Sequence, residues 1–209
     1  MTSITIIGAG VVGATLGRCW AARGHRVTYA ARDTGSEKVR KALDTSPGAR
    51  ALPIAAAIGE SDAVVLATPW SGTKAAIDAA GDFGGRPLLD ATNPLTPSFG
   101  LALGFDASGG EQVQAWAPSA KVVKIFNSTG WENMADPVYP GGRAAMVYCG
   151  DDAPAKALAA ALASDLGFEP LDLGPLDAAR LLEPYAMVWI RLAIVQKLGR
   201  DVAFGLMRR

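Results

Sequence analysis

Short apolar segments alternate with amphipathic segments over the first 127 residues of the chain. The apolar segments are rich in β-branched residues, as buried strands are, and the amphipathic segments have helical spacing. The predicted strands are Ser3–Ile7, Arg26–Ala31, Ala51–Pro53, Asp62–Thr68, Pro87–Ala91 and Val122–Phe126. The predicted helices are Val12–Arg23, Ser36–Leu43, a short helix after Pro53, Gly72–Ala80 and Glu111–Ala117. This alternation predicts an α/β fold with a doubly wound, mostly parallel sheet.

A small strand-and-helix lobe is predicted at the carboxyl end. A Gly/Pro-rich connection over residues 127–142 precedes it, and an earlier loop over residues 96–110 is a candidate lid. The predicted elements after the connection are the strands Ala144–Cys149 and Pro170–Leu173, a helix between Gly150 and Gly167, and an amphipathic helical stretch Leu176–Met207 with breaks at Pro184 and near Gly199. We expect one domain over residues 1–150 and a C-terminal α/β extension over residues 151–209.

Composition excludes several classes of function. The chain has 209 residues, and its 20 Lys+Arg balance its 20 Asp+Glu, which leaves no basic footprint for nucleic acid or for an anionic membrane surface. Its apolar stretches are shorter than the roughly 20 residues of a membrane span. Cys19, Cys149 and the single His25 make no metal-binding pattern, so we expect no metal site. Two isolated cysteines indicate buried thiols in a reducing, cytoplasmic protein.

Three glycines follow the first predicted strand and open the first predicted helix. In the segment Gly8-Ala9-Gly10-Val11-Val12-Gly13, the first glycine allows a tight turn. The second lets the backbone approach a pyrophosphate, and the third lets the helix pack against the strand. Because a second strand follows within about 15 residues, the context is that of a dinucleotide site. The sequence therefore predicts a doubly wound Rossmann fold over residues 1–150, with the phosphates at the helix amino terminus.

The end of the second strand distinguishes NADP from NAD. An NAD site usually has an acid there, whereas this chain has Ala31 followed by Arg32. A guanidinium binds a 2′-phosphate through charge-assisted hydrogen bonds, and Lys38 adds positive charge nearby. Asp33 is the competing candidate for a ribose acid, but it lies beyond the alternation of the strand. We expect NADP(H).

Further candidate residues end later strands at the same edge of the sheet. Thr68, Pro69 and Trp70 follow the fourth strand, where they would line the cofactor site. Amide and aromatic side chains at the next strand ends would hold a carboxamide or a substrate carbonyl, or they are only helix caps and turn formers. The candidate substrate residues are Asn93, Pro94, Asn127 and Trp131.

Several motifs accompany the glycine turn. They are Ala31-Arg32, Thr68-Pro69-Trp70, Cys149-Gly150-Asp151-Asp152, and Leu171-Asp172-Leu173-Gly174-Pro175-Leu176 followed by Arg180 and Glu183. With them the chain resembles, over nearly its whole length, the NADPH-dependent oxidoreductases of the deazaflavin coenzyme F-420. It is also similar to the wider group of short reductases that includes the cytosolic domains of six-transmembrane metalloreductases. The resemblance implies that residues 9 to 12 and the Ala31-Arg32 pair hold NADP(H), and that coenzyme F-420 is the co-substrate.

The same resemblance implies hydride transfer between two carriers, which needs orientation more than acid–base catalysis. We therefore expect no catalytic side chain, and the Tyr-x-x-x-Lys pair of short-chain dehydrogenases is absent from the sequence. An NADPH-dependent reductase of flavin, a ferric chelate or a small carbonyl compound is the first alternative. A non-enzymatic NADPH sensor is the second.

The carboxy-terminal helical stretch has more apolar residues than one sheet edge can cover. They are Leu181, Leu182, Met187, Val188, Trp189, Ile190, Leu192, Ile194 and Val195. We expect a homodimer through this region, with the second subunit helping to close the substrate crevice.

Overall fold

The computed structural model of the chain describes residues 1–98 and 100–209. Its strands are β1 (Ser3–Ile7), β2 (Arg26–Ala31), β3 (Arg50–Pro53), β4 (Ala63–Leu66), β5 (Pro87–Asp90), β6 (Lys121–Lys124), β7 (Val138–Tyr139), β8 (Gly142–Arg143), β9 (Ala145–Gly150) and β10 (Glu169–Asp172). Its helices are α1 (Val11–Ala21), α2 (Glu37–Asp44), α3 (Ile54–Ile58), α4 (Trp70–Ala80), α5 (Gly109–Trp116), α6 (Trp131–Ala135), α7 (Ala153–Leu166) and α8 (Ala179–Ile190).

Eight strands form one sheet in the order β10-β9-β6-β5-β4-β1-β2-β3. Strands β1 to β6 are parallel to one another, and their order is that of a Rossmann fold. Strand β9 pairs with β6 antiparallel, and β10 pairs with β9 parallel, so the carboxyl part extends the same sheet in the opposite direction. The predicted fold class, a doubly wound and mostly parallel sheet, is confirmed.

The sheet is covered on both faces, as apolar strands with no polar side require. Helices α1, α2, α6 and α7 pack on one face, and α3, α4 and α5 pack on the other. Strand β1 supplies both cores: Ile4 and Ile6 face α1, whereas Ile7 faces α3 and α4. Trp20 of α1 is fully buried, and its Nε1 donates to the Leu162 carbonyl of α7 at 3.1 Å.

The structure adds detail to both connecting segments. The Gly/Pro-rich connection after Asn127, for which no element was predicted, contains α6 and the β7–β8 ribbon. The loop that was expected to reach residue 110 ends earlier, where α5 begins at Gly109. Ser108 caps this helix, since its side chain accepts from the Glu111 N–H, and a cap of this kind can start a helix at glycine.

The prediction for the carboxy-terminal helix was also wrong in part. Helix α8 continues through Pro184 without a break, because burial of Leu182, Ala186 and Trp189 offsets the missing N–H. A π-helical turn follows, and residues 196–209 form no helix. The tail instead packs on the core: the Val202 carbonyl accepts from Trp189 Nε1 at 2.6 Å and the Phe204 carbonyl accepts from the Ala145 N–H at 2.8 Å.

Candidate functional site

Packing requires glycine directly after β1, at Gly8, and again in the first turn of α1, at Gly13. Gly8 has φ +110°, and a Cβ there would lie 2.5 Å from the Ala67 carbonyl oxygen of the neighbouring strand end. A Cβ at Gly13 would overlap the Gly8 carbonyl oxygen. These two glycines therefore bring strand, turn and helix together more closely than any side chain allows.

Gly10 has a different role. It caps α1 with ordinary extended angles, and a Cβ at this position would meet no protein atom within 4 Å. The first turn of α1 contains no acidic residue, and Val11 at its start is exposed. The first N–H groups of a helix have no partner within the helix and carry partial positive charge. The open space beside Gly10 thus fits a phosphate, and the predicted turn residues Ala9, Val11 and Val12 flank it.

A cavity of about 390 Å³ lies between the carboxyl ends of β1, β2 and β4 and the start of α4. The predicted cofactor residues that line it are Gly8, Ala31, Arg32, Thr68 and Pro69. Arg32 is exposed and forms no salt bridge among the residues that the structure describes. Asp33 Oδ1 instead accepts from the Gly35 N–H at 2.9 Å within its own turn. The free cation at the cavity is therefore Arg32, and the rival carboxylate is held by its own loop.

Besides the turn residues 9–13, two predicted cofactor residues do not line this cavity. Lys38 is exposed on α2 and does not line it. Trp70, at the start of α4, stacks on Trp116 of α5 with ring centroids 5.3 Å apart and an interplanar angle of 29°. This pair joins two helices, and Trp70 does not line the cavity, so its contact with the cofactor stays a prediction.

The predicted substrate residues Asn93 and Asn127 form a reciprocal pair. Asn93 Nδ2 donates to the Asn127 carbonyl oxygen at 2.8 Å, and Asn127 Nδ2 donates to Asn93 Oδ1 at 3.0 Å. Asn127 is almost fully buried, and its Oδ1 has no hydrogen-bond partner among the described residues. Pro94 is buried beside this pair, and Trp131, at the start of α6, is 38% exposed.

A buried charge cluster lies next to the amide pair, and the sequence interpretation missed it. It consists of Asp90 at the end of β5, Lys124 at the end of β6, and Glu183 in α8. Lys124 Nζ is 2.9 Å from Asp90 Oδ2 and 2.9 Å from Glu183 Oε1. Burial lowers the pKa of Lys124, but the two carboxylates raise it more, so the net shift is upward and the lysine is charged. The sequence did contain a signal for this cluster: Asp90 and Lys124 are charged residues at the carboxyl ends of two neighbouring buried strands.

Both cysteines are buried, as expected. Burial raises the pKa of the Cys149 thiol to about 12 even though Lys124 lies nearby, so this thiol is neutral and unreactive. No helix in the described ranges is long and apolar enough to cross a bilayer. Within the same ranges, no group of His, Cys, Asp and Glu side chains is arranged to hold a metal ion.

The parallel sheet and the glycine turn, together with the cavity at the carboxyl edge, define a dinucleotide-binding protein of the Rossmann class. The family model for NADP oxidoreductase, coenzyme F420-dependent, matches residues 3–94. A crystal structure from Arthrobacter sp. FB24, described as a candidate F420-dependent NADP reductase, is 33% identical, with a TM-score of 0.90 and full coverage of both chains. This chain belongs to that family of NADP-dependent oxidoreductases. The expected enzyme class and the preference for NADP over NAD are confirmed at the level of the family.

Three further proteins share sequence or fold with this chain. A hypothetical protein of Sinorhizobium meliloti is 31% identical, with a TM-score of 0.74, and the match covers 86% of this chain and 88% of that one. The metalloreductase STEAP3 of Rattus norvegicus is 32% identical over 128 residues, or 61% of this chain. The match covers 25% of that curated relative, so the chain spans about a quarter of its length. A reductive aminase of Aspergillus terreus in complex with NADPH and ethyl levulinate, 20% identical with a TM-score of 0.66 and covering 95% of this chain and 61% of that one, shares the fold.

Proposed function

We propose that this protein transfers a hydride between NADP(H) and a deazaflavin-type carrier such as coenzyme F-420. One observation carries the proposal: an amide pair follows β5 and β6 at the carboxyl edge of the sheet, and the acidic and basic side chains next to it, those of Asp90, Lys124 and Glu183, are buried and paired with one another. The single histidine is at the opposite edge of the sheet, where His25 accepts from the Thr2 N–H and contacts Asp165. Hydride exchange between two carriers needs no proton from the protein, whereas reduction of a carbonyl to an alcohol does.

The residues present fit NADP(H). The turn from Gly8 to Gly13 would hold the pyrophosphate, because its backbone leaves open space at Gly10. Ala31 leaves room beside the ribose, and Arg32 would bind the 2′-phosphate. The unpartnered Asn127 Oδ1 would accept from the carboxamide of the nicotinamide. When bound, NADP(H) would supply or accept the hydride at its nicotinamide C4, and the protein would orient the two rings and exclude water.

A reductase of a different acceptor is the second candidate. The similarity to a metalloreductase favours a ferric chelate, and free flavin or a small carbonyl compound would meet the same crevice. A sensor that binds NADPH without turnover is the third. All three share the cofactor site and differ only in what enters beside Asn93 and Asn127.

Turnover with parallel acceptors tests these alternatives. The loss of reduced-nicotinamide absorbance is followed with coenzyme F-420, free flavin and a ferric chelate, at equal enzyme and NADPH concentrations. We expect the deazaflavin to give the highest kcat/KM. Gly10→Val serves as the control, because its side chain would occupy the phosphate space and should abolish turnover in a folded protein. A higher kcat/KM with the ferric chelate would favour the second candidate. Tight NADPH binding with no turnover would favour the sensor.

We also propose a homodimer through the carboxy-terminal helix, with residues 151–209 forming a lobe that helps close the substrate crevice. Leu181 and Val188 of α8 are exposed at a helical spacing that places them on one side, and Val195 of the following π-helical turn is exposed as well. A second copy of this chain would cover this apolar face. Light scattering at micromolar concentration should give a dimer mass, and Leu181→Lys with Val188→Lys should give a monomer. A monomeric wild type would contradict the proposal. A cytoplasmic location is proposed from the balanced charge and the two free thiols.

A further inference from the structure

One backbone atom fixes the orientation of both side-chain amides. The Asn127 carbonyl oxygen can only accept a hydrogen bond, so the Asn93 atom that faces it at 2.8 Å must be Nδ2. Asn93 Oδ1 therefore accepts from Asn127 Nδ2. As a result, Asn127 Oδ1 is the amide atom left without a donor among the described residues. A buried acceptor in this state is unfavourable until a ligand supplies an N–H.

The residue before Asn127 is held in a strained conformation. Phe126 has φ +62°, in the left-handed region that side chains other than glycine rarely adopt, although it is fully buried. Its ring packs edge-to-face on Trp20, with centroids 5.6 Å apart. Such strain persists when the surrounding core over-determines it, and it is common at functional sites. The core therefore dictates the direction in which the chain leaves β6 and presents Asn127.

The residue before Asn93 is held by the charge cluster. Asp90 Oδ1 accepts from the Thr92 N–H at 2.9 Å and from the Thr92 hydroxyl at 2.7 Å. Lys124 Nζ donates to the Thr92 carbonyl at 2.7 Å. Both backbone polar groups of Thr92 are thus bound by side chains of the cluster. Asp90 and Lys124 are direct neighbours across β5 and β6, so the cluster couples the two strand ends that carry the amides.

Glu183 links this arrangement to the carboxy-terminal helix. Its carboxylate contacts Lys124 and also accepts from the N–H groups of Gly109 and Gly110 at 2.8 and 2.9 Å. Those two groups are the amino end of α5, a position that favours a negative charge. A Cβ at Gly109 would approach Glu183 Oε1 to 3.0 Å, so the fit is tight. Helix α8 is therefore fastened to the strand ends through one buried carboxylate.

We propose that the charge cluster of Asp90, Lys124 and Glu183 positions the amide pair so that Asn127 Oδ1 stays a fixed acceptor for the carboxamide of NADP(H). The inference rests on the proposed function, because it requires the nicotinamide to lie beside Asn127. The three charged residues are positioning residues, since they act through Thr92 and the amide pair. Their loss should reduce discrimination at the carboxamide and should leave the phosphate contacts intact.

A cofactor analogue isolates this effect. In the 3-acetylpyridine analogue of NADP⁺ an acetyl group replaces the carboxamide, so the N–H donor is lost. We expect calorimetry to show that the wild type binds NADP⁺ about tenfold more tightly than the analogue, which is the effect of one hydrogen bond. Glu183→Gln should bring this ratio close to one, with little change in the affinity for the analogue. Glu111→Gln is the matched control, because it removes an ion pair between α5 and α8 at the surface and should keep the ratio.

Other outcomes would overturn the proposal. If Glu183→Gln keeps the tenfold ratio, or weakens the binding of both ligands equally, the cluster is only a structural element. If Glu183→Gln does not fold, Thr92→Val gives the same test, since it removes one donor to Asp90 and keeps the side-chain volume. An unchanged ratio in Thr92→Val would then overturn the proposal. Asn127→Ala tests the placement of the carboxamide separately from the role of the cluster. If this variant keeps the ratio, the carboxamide does not bind at Asn127. An intact ratio without turnover would count against the proposed reaction alone.

Discussion

The two ends of the proposed crevice, the phosphate end at the glycine turn and the amide end at Asn93 and Asn127, are built in opposite ways. At the phosphate end, the geometry depends on glycines, whose lack of a side chain leaves room for close packing or for a phosphate. The three glycines lie within six consecutive residues, 8–13. At the amide end, it depends on polar side chains that meet from distant parts of the chain. Those residues are Asp90, Asn93, Lys124, Asn127 and Glu183. A steric requirement among neighbours is visible in the sequence, whereas hydrogen-bond complementarity among distant residues is not.

The energetic risks differ accordingly. At the phosphate end, a methyl group added at Gly8 or Gly13 would overlap backbone, which has little freedom to move. At the amide end, the loss of one partner leaves a charge buried without compensation, and desolvation makes that unfavourable. Four substitutions test this contrast, from the largest expected effect to the smallest.

Gly13→Ala should have the largest effect. Its Cβ would overlap the Gly8 carbonyl oxygen and lie 3.0 Å from Ile6 Cγ2, so we expect a loss of more than about 4 kcal/mol or no folded protein. Urea unfolding measures this. Gly10→Ala is the matched control: its Cβ meets no protein atom, so stability should change by less than about 1 kcal/mol. Its NADPH affinity should nevertheless fall. Wild-type stability in Gly13→Ala would show that the turn is less constrained than its geometry indicates.

Lys124→Met tests the amide end. It keeps the aliphatic length but leaves two buried carboxylates without a cation, and we expect a loss of about 3 to 5 kcal/mol of unfolding free energy. Adding Glu183→Gln should recover part of that loss, because one of the two like charges is removed. If the double variant is less stable than Lys124→Met, charge repulsion is not the cause.

The pH dependence of the wild type has a definite sign. The folded-state pKa of Lys124 is raised above its ordinary value of 10.5, by Asp90 and Glu183 acting against burial. The stabilisation is therefore fully present below pH 10.5 and is lost as pH rises through the raised pKa. Denaturation curves should show Lys124→Met approaching the wild type only in strong alkali.

Arg32→Ala should affect binding and leave folding unchanged. The guanidinium is exposed at the cavity, so we expect NADPH affinity to fall by roughly 10- to 100-fold, as for loss of charge-assisted hydrogen bonds, with little change for NADH. Titration with both cofactors measures the two constants. Lys38→Ala should have a smaller effect, because Lys38 does not line the cavity. Equal losses for NADPH and NADH in Arg32→Ala would refute the 2′-phosphate assignment.

Glu111→Gln should have the smallest effect. Glu111 pairs with Arg180 between α5 and α8, the same two helices that Glu183 joins in the interior, but this pair is partly exposed and screened by water. Arg180 holds the pKa of Glu111 below its ordinary value of 4.5. The contribution is therefore present above pH 4.5 and is lost as pH falls through the lowered pKa. Melting midpoints of wild type and variant should differ slightly at neutral pH and converge in acid. If Glu111→Gln lost as much unfolding free energy as Lys124→Met, the partly exposed ion pair would contribute as much as the buried cluster, which would contradict the expected difference.

Much of the nucleotide-binding half was predictable. The bounds of β1 and β2 agree with the sequence prediction, because β-branched strands next to a glycine turn give strong local signals. The carboxyl part was harder. Pro184 was expected to end a helix, yet burial of its neighbours on α8 overrides the local preference. The tail beyond residue 195 has helical spacing but lies against the core, held by the Trp189 and Ala145 hydrogen bonds.

The candidate site also contains residues that local sequence signals predicted and residues whose position depends on tertiary packing. Gly8, Arg32, Thr68 and Pro69 were predicted, and the structure gathers them around one cavity. Trp70 was predicted for the same site but does not line that cavity, because its ring stacks on Trp116, which comes from a helix whose position no local pattern specifies.

The sequence by itself determined the Rossmann architecture, the glycine turn and the cation beside the cavity, since each depends on neighbouring residues and on strand and helix periodicity. Only the tertiary structure decided that Asn93 and Asn127 bind each other, that Asp90, Lys124 and Glu183 are buried together, and that α8 is fastened to the strand ends. The physical reason is desolvation: a charge at the end of an apolar strand is stable only where the fold brings its partners to it.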